Sequence, residues 1–259
     1  MSRVTTAFAA AFALFLPLRR PLLVGVTPVV GIGAALLTTQ AAYAQSAKDW
    51  FDSGNVKYDN GDYRGAIADY TKAIEFNPMH AKAYYNRGLG KYNLKDFRGA
   101  IADFTKAIEH NPNHEDAYNN RGNANHDLKD YKSAIGDYTK AIEIYPKNPG
   151  FYYNRGIAKY DLKDYQGAIA DYTKAIEYDP KYAYAYYNRG NAKDDLKDFQ
   201  GAINDYTKAI EIDPVNAEYY INRGIALKRA DNLKDACNDW KKAVDLGDTD
   251  PIKLIRYLC

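Results

Sequence analysis

Cysteine, methionine and tryptophan each occur twice in 259 residues, and histidine four times. The two cysteines, Cys237 and Cys259, fit neither a zinc motif nor a dithiol redox motif. Of the histidines, His80, His110, His114 and His126, the pair His110 and His114 has helical metal-ligand spacing, but Asn111-Pro112 breaks the chain between them. No glycine-rich phosphate loop joins a strand to a helix, since Gly88 and Gly90 fall inside a helical pattern. No charge sign dominates either, with 35 Lys and Arg against 33 Asp and Glu. A near-neutral surface of mixed sign gives no electrostatic reason to expect nucleic acid. The chain is therefore read as a non-enzyme without cofactor or metal. Tyrosine, by contrast, is abundant: 25 residues, ample material for a core.

The first 44 residues differ from the rest. They contain Arg3, Arg19 and Arg20 but no acid, and without them the formal charge of +2 becomes −1. Apolar stretches at 7–18 and 22–37 flank Arg19-Arg20, and Ala42-Tyr43-Ala44 fits a small-x-small cleavage rule. The segment resembles a secretory signal peptide, with a mature product beginning at Gln45. An uncleaved anchor is the alternative, because 22–44 approaches the roughly 20 residues that span a bilayer, although Pro28, Gly31 and Gly33 weaken it. Arg19-Arg20 leads into Pro21-Leu22-Leu23, which does not match a twin-arginine signal.

The body repeats itself. GAIADYTKAIE at 65–75 returns as GAIADFTKAIE at 99–109, GAIADYTKAIE at 167–177 and GAINDYTKAIE at 201–211. The period is 34 residues, and six units follow without insertion: 47–80, 81–114, 115–148, 149–182, 183–216 and 217–250. In each, a stretch without internal proline leads to Asp or Asn at unit position 16, as in Asp62, Asp96, Asp130, Asp164 and Asp198, where a short polar side chain caps a second helix. Ala66-Ile67, Tyr70 and Ala73-Ile74 set the apolar face of that helix, and Pro78, Pro112, Pro146, Pro180 and Pro214 end it. Glycine at position 8, from Gly54 to Gly224, costs helix propensity and implies a partner ring lying on bare backbone.

An aromatic at unit position 4, Gly at 8, Ala at 20, an aromatic at 24, Ala at 27 and Pro at 32 closely resemble the tetratricopeptide repeat (TPR) over about four-fifths of the chain. The resemblance implies an all-α fold: a right-handed α-solenoid of six helix-turn-helix TPR units plus a C-terminal capping helix at 251–259. The phrasing is also similar to arrays frequent in cyanobacteria.

YYNRG and its relatives place an arginine at position 7 of every unit but the first. Positions 3, 7, 10 and 14 form one helical stripe, which is polar in unit 1 and small in later units, so it is read as facing the preceding unit. Asp at position 23 then suggests a cross-repeat ladder: Arg87 with Asp69, Arg121 with Asp103, Arg155 with Asp137, Arg189 with Asp171 and Arg223 with Asp205. Such pairs set register and are scaffolding. Asp239 is left for Arg256 or Lys253. The tail is read as capping through Ile252, Ile255 and Leu258, with Asp250 as its cap and Pro251 opening it. In an oxidising compartment Cys237 and Cys259 are expected to pair. In a reducing one they are a small buried residue and a terminal thiol.

The resemblance implies that function lies on the concave surface, where first-helix positions 2, 5, 9, 12 and 13 point inward. The candidate groove residues are Tyr85, Tyr92, Asn119, Asn123, His126, Tyr153, Tyr160, Tyr187 and Asn191, with Phe51, Asn55 and Tyr58 in unit 1. Asp59, Asp127, Asp161 and Asp195 stand at position 13. This surface suits an extended peptide or short helix of a protein partner, neutral or basic in character. It departs from the terminal-carboxylate clamp of some cochaperones, because no position 5 is lysine and no position 6 arginine. The expected function is an interaction scaffold, exported to the periplasm or, in a cyanobacterium, the thylakoid lumen. The mature domain is not expected to touch a membrane unless the leader is an anchor. Recognition of cell-wall glycan by stacked tyrosines is the alternative, and lateral self-association a third.

Overall fold

The computed structural model describes residues 32–259, with side chains from Ser46 onward. Most of the expected leader, residues 1–31, lies outside the described residues. Helix α1 spans Ile32–Asp59, so the first helix starts well before residue 47. Residues 41–259 form one compact unit. Among the described residues there is no strand, and no helix is long and apolar enough to cross a membrane.

Within that unit, α1 pairs with α2 (Tyr63–Phe76), and the chain continues as α3 (Ala81–Asn93) with α4 (Phe97–His110) and α5 (Glu115–Asp127) with α6 (Tyr131–Ile144). Then come α7 (Pro149–Asp161) with α8 (Tyr165–Tyr178), α9 (Ala183–Asp195) with α10 (Phe199–Ile212), and α11 (Ala217–Arg229) with α12 (Leu233–Asp245). A short α13 (Ile252–Leu258) packs on α12.

The fourth hairpin shows why these residues fold this way. Pro149 stands in the first turn of α7, where its missing N–H costs nothing, and Asn148 caps the helix by accepting from Gly150 N at 2.9 Å. The helix ends in a Schellman turn: Lys163 N donates to Tyr160 O (2.7 Å) and Asp164 N to Lys159 O (2.9 Å), with Lys163 left-handed at φ 64°. Asp164 then caps α8 by accepting from Gly167 N at 3.0 Å. Ala168, Tyr172 and Ala175 bury the inner face of α8, and Asp179 closes it before Pro180. Between the two helices, a Cβ on Gly156 would lie 2.6 Å from Tyr172 Cε1, so the ring occupies space that only glycine leaves free.

Each second helix also packs on the first helix of the following hairpin, and first helices touch from one hairpin to the next: α3 with α5, α5 with α7, α7 with α9 and α9 with α11. Among the described residues no second helix reaches the next second helix. First helices therefore crowd the inside of the curve. Position 10 faces the preceding unit: its Ala124, Ala158, Ala192 and Ala226 are 0% exposed, whereas Val56, with no hairpin before it, is 61% exposed.

The C-terminal end differs from expectation in detail. Pro251, fully buried, is itself the cap residue of α13, and Leu254, Ile255 and Leu258 pack against Leu227, Ala236 and Trp240, while Ile252 stays exposed. Of the expected face, Ile255 and Leu258 pack as read, and Leu254 takes the place of Ile252, because the buried Pro251 already covers the start of the helix. Cys237 and Cys259 are joined by a disulfide that ties the end of α13 to α12.

Candidate functional site

The arginines must be placed before the groove, because they decide which side chains are framework. Arg155 Nε donates to Asp171 Oδ2 (2.9 Å) and Nη2 to Oδ1 (2.7 Å), both on the second helix of its own hairpin. The same bidentate pairing joins Arg87 to Asp103, Arg121 to Asp137, Arg189 to Asp205 and Arg223 to Asp239. The expected ladder is thus corrected by one unit: Arg87 does not meet Asp69, nor Arg121 Asp103, nor Arg155 Asp137, nor Arg189 Asp171, nor Arg223 Asp205. Neither Arg256 nor Lys253 serves Asp239. The stripe does look backwards, but arginine stands at its edge and is long enough for its head to turn onto its own partner helix. What crosses the boundary is the third nitrogen, Nη1 of Arg155 to Thr139 Oγ1 of the preceding hairpin at 3.1 Å. Tyr152 lies 5.8 Å beneath the guanidinium. In unit 1, which has no preceding threonine, Ser53 takes the arginine's place on Asp69, and Lys57 meets it as Lys91, Lys159 and Lys193 meet Asp103, Asp171 and Asp205 beside the arginine.

The groove residues form two rows of hydrogen bonds along the inner surface. In one row, position 6 of units 3 to 6 donates to position 5 of the unit before: Asn120 to Tyr85 Oη (2.8 Å), Asn154 to Asn119 Oδ1 (3.0 Å), Asn188 to Tyr153 Oη (3.0 Å) and Asn222 to Tyr187 Oη (2.6 Å), while Asn86 of unit 2 donates to Asn55 Oδ1 (2.8 Å). In the other, positions 12 and 13 meet: Asn93 with Tyr58, Tyr92 with Asp127 (2.5 Å), His126 with Asp161 (2.8 Å), Tyr160 with Asp195 (2.5 Å) and Arg229 with Asp194. Burial pushes the Tyr85 phenol up to about 12. Burial also raises Tyr92 and Tyr160, and the facing carboxylates raise them further. At neutral pH these phenols keep their protons, which Tyr92 and Tyr160 donate to Asp127 and Asp195.

Asn123 and Asn191, read as groove residues, line the inner surface and also support the core beneath it. Asn55, Asn123 and Asn191 each accept from the buried hydroxyl of their own second helix, Tyr70, Tyr138 and Tyr206, at 2.8–2.9 Å. In the other units position 9 is apolar: Leu89 in the hairpin of Phe104, Ile157 in that of Tyr172 and Ile225 in that of Trp240.

Among the described residues, pockets open on this surface at units 1, 3 and 5, every second hairpin. The first is lined by Asn55, Tyr58, Tyr70 and Asn86, with a volume near 380 Å³. The second is lined by Tyr92, Asn123, His126 and Tyr138, near 100 Å³. The third is lined by Tyr160, Asn191, Asp194, Asp195, Tyr206 and Arg229, near 280 Å³. Each has the same floor, a tyrosine hydroxyl held by an asparagine. Among the described residues no group of three or more acidic, His or Cys side chains is placed to hold a metal ion. His80 instead caps α3, its Nδ1 accepting from Ala83 N at 3.3 Å, and His110 closes α4.

An all-α solenoid of helical hairpins with a polar, pocketed inner face is an interaction scaffold by class. Models described as TPR repeat match residues 54–95 and 158–193. Models described as tetratricopeptide repeat match residues 81–114, 115–148 and 183–216, and residues 137–170 and 205–238. The chain belongs to the tetratricopeptide repeat family. Among solved structures it is similar to MamA, at 27% identity, TM-score 0.61, covering 69% of this chain and 96% of that one. It is also similar to YrrB, described as a TPR protein with an unusual peptide-binding site, at 24% identity, TM-score 0.62, covering 71% and 95%. PilF of Pseudomonas aeruginosa follows at 16% identity, TM-score 0.68, covering 82% and 98%. The last two likenesses are of fold. No curated protein is matched.

Proposed function

We propose that the chain is an exported scaffold that binds an extended segment of a protein partner along its concave face. The observation that carries this reading is the line of three pockets recurring at every second hairpin on one inner surface. A polypeptide in extended form presents side chains at regular intervals, and a rigid surface with pockets at a regular interval is its complement. The rows of hydrogen bonds lock the rotamers that line the pockets, which lowers the ordering cost of binding. Glycan recognition has less support, because the Tyr85 ring packs on His114 at 4.5 Å and the Tyr153 ring on Tyr182 at 4.8 Å, leaving few free aromatic faces.

Export rests on the leader-like composition of residues 1–44 and on the disulfide, a bond that persists in oxidising compartments. Affinity capture from cross-linked source cells, read by mass spectrometry beside retention on immobilised peptidoglycan, tests the function. One dominant protein partner with no peptidoglycan retention is expected, and the reverse result rejects the scaffold reading. The intact mass of the captured chain should begin at Gln45. A mass retaining the leader would favour the anchored form.

A further inference from the structure

The row of bonds between positions 12 and 13 has one member unlike the rest. Position 12 carries tyrosine in units 1, 2 and 4, but unit 3 has His126, whose Nε2 meets Asp161 Oδ2 at 2.8 Å across the boundary between α5 and α7. Burial raises Tyr58, Tyr92 and Tyr160, so their links keep one charge state through the neutral range. Histidine is the side chain whose ordinary titration falls between about pH 5 and 8. His126 is therefore the member of this row able to change charge there.

The surroundings decide what an added proton does. From α3 comes Tyr92, from α5 itself Asp127, from α6 Tyr138 and the ring of Tyr131 at 5.2 Å, and from α7 Asp161. Lys129, in the turn that follows, is exposed. A carboxylate only accepts, so the 2.8 Å contact keeps a proton on Nε2 whether the ring is neutral or charged, and the added proton goes to Nδ1. The link between units survives. What changes is the charge of the groove, at the pocket of unit 3, which a segment reaching from the pocket of unit 1 to that of unit 5 must pass. Elsewhere the same two positions carry Asp59, Asp127, Asp161, Asp194 and Asp195 against Lys228 and Arg229. Such a surface favours a cationic segment, and a new positive charge at its centre repels one.

We infer that His126 is a proton switch of the groove: the neutral imidazole admits a basic segment of the partner, and the imidazolium lowers its affinity. The inference rests on the peptide-binding reading above and adds its regulation, a complex that is tight above neutral pH and loosens as the medium acidifies.

The test selects a displayed library of random peptides on the full chain at about pH 8, then measures the affinity of the enriched peptides down to about pH 5. The peptides should be net basic, and affinity should fall about fivefold, the scale of two like charges several ångströms apart at a partly solvated surface. The imidazole signal of His126, followed by NMR in the full chain, should titrate in step with that fall and shift to lower pH when peptide is bound. His126→Tyr, which installs the tyrosine of units 1, 2 and 4 and can still donate to Asp161, should hold the high affinity across the range. His110→Asn, outside the groove, should keep the decline. Enriched peptides without net positive charge, a flat affinity in the parent chain, or a decline that survives His126→Tyr overturns the inference and leaves the groove reading standing. Failure to enrich any peptide overturns both.

Discussion

Arg155 touches three helices at once: Asp171 on α8, Thr139 on α6 and, through its ring stack, Tyr152 on its own α7. A guanidinium with only about a sixth of its side chain exposed, facing a carboxylate with about a twentieth, is stable as a pair and costly when parted. Asp171→Ala should cost about 3–5 kcal/mol in chemical denaturation, because it strands a buried cation. A double-mutant cycle should then give strong coupling between Arg155 and Asp171 and almost none between Arg155 and Asp137. The recurrence of arginine and aspartate was legible in the sequence. Which aspartate each arginine meets was not, since both registers obey the same period and only the reach of the side chain separates them. Tyrosine gives a second test at this scale. Burial pushes Tyr70 and Tyr85 up to about 12 and raises Tyr138, Tyr172 and Tyr206 as well, from a reference of 10.0. The folded chain thus holds these protons more tightly than the unfolded chain, so stability is full below pH 10 and declines as pH rises from 10 toward 12. Denaturant melts across that range, followed beside tyrosinate absorbance, should show the decline.

At the scale of elements, capping and termination were readable, because Asp164 and Pro180 act through local chemistry that one sequence displays. The left-handed lysines of the hairpin turns, Lys95, Lys129, Lys163 and Lys197, were not, since glycine is the usual signal and only Gly61 supplies it. Two glycines of similar helical setting should behave in opposite ways. Gly156→Ala pushes a methyl to within 2.6 Å of Tyr172 and is expected to destabilise by about 1–3 kcal/mol despite alanine's better propensity. Gly136→Ala, in open space on α6, should instead stabilise by up to about 1 kcal/mol. Thermal melts of the two variants beside the parent decide it. The capping helix depends on its covalent tie, because its seven residues bury only one apolar face. Reduction of Cys237–Cys259, which closes a separation of 22 residues, should cost about 3 kcal/mol and speed amide exchange in α13 first.

For the whole molecule, the 34-residue period already implies a solenoid, since hairpins of one length that cannot bury their faces alone must stack. What the period could not show is the doubled spacing of the pockets, which comes from the alternation of Asn at position 9 with Leu89 and Ile157 and is seen only when neighbouring units are in place. Several groove residues proved to be partly framework for the same reason: a side chain's inward direction follows from helical geometry, but its partner lies in another unit. The division between a paired frame and a pocketed inner surface is the central claim, and hydrogen exchange of the full chain with its captured partner bound tests it most directly. Protection is expected along α3, α5, α7, α9 and α11, with α4, α6, α8 and α10 unchanged. Protection confined to the second helices, with the inner surface exchanging as in the free protein, would contradict it.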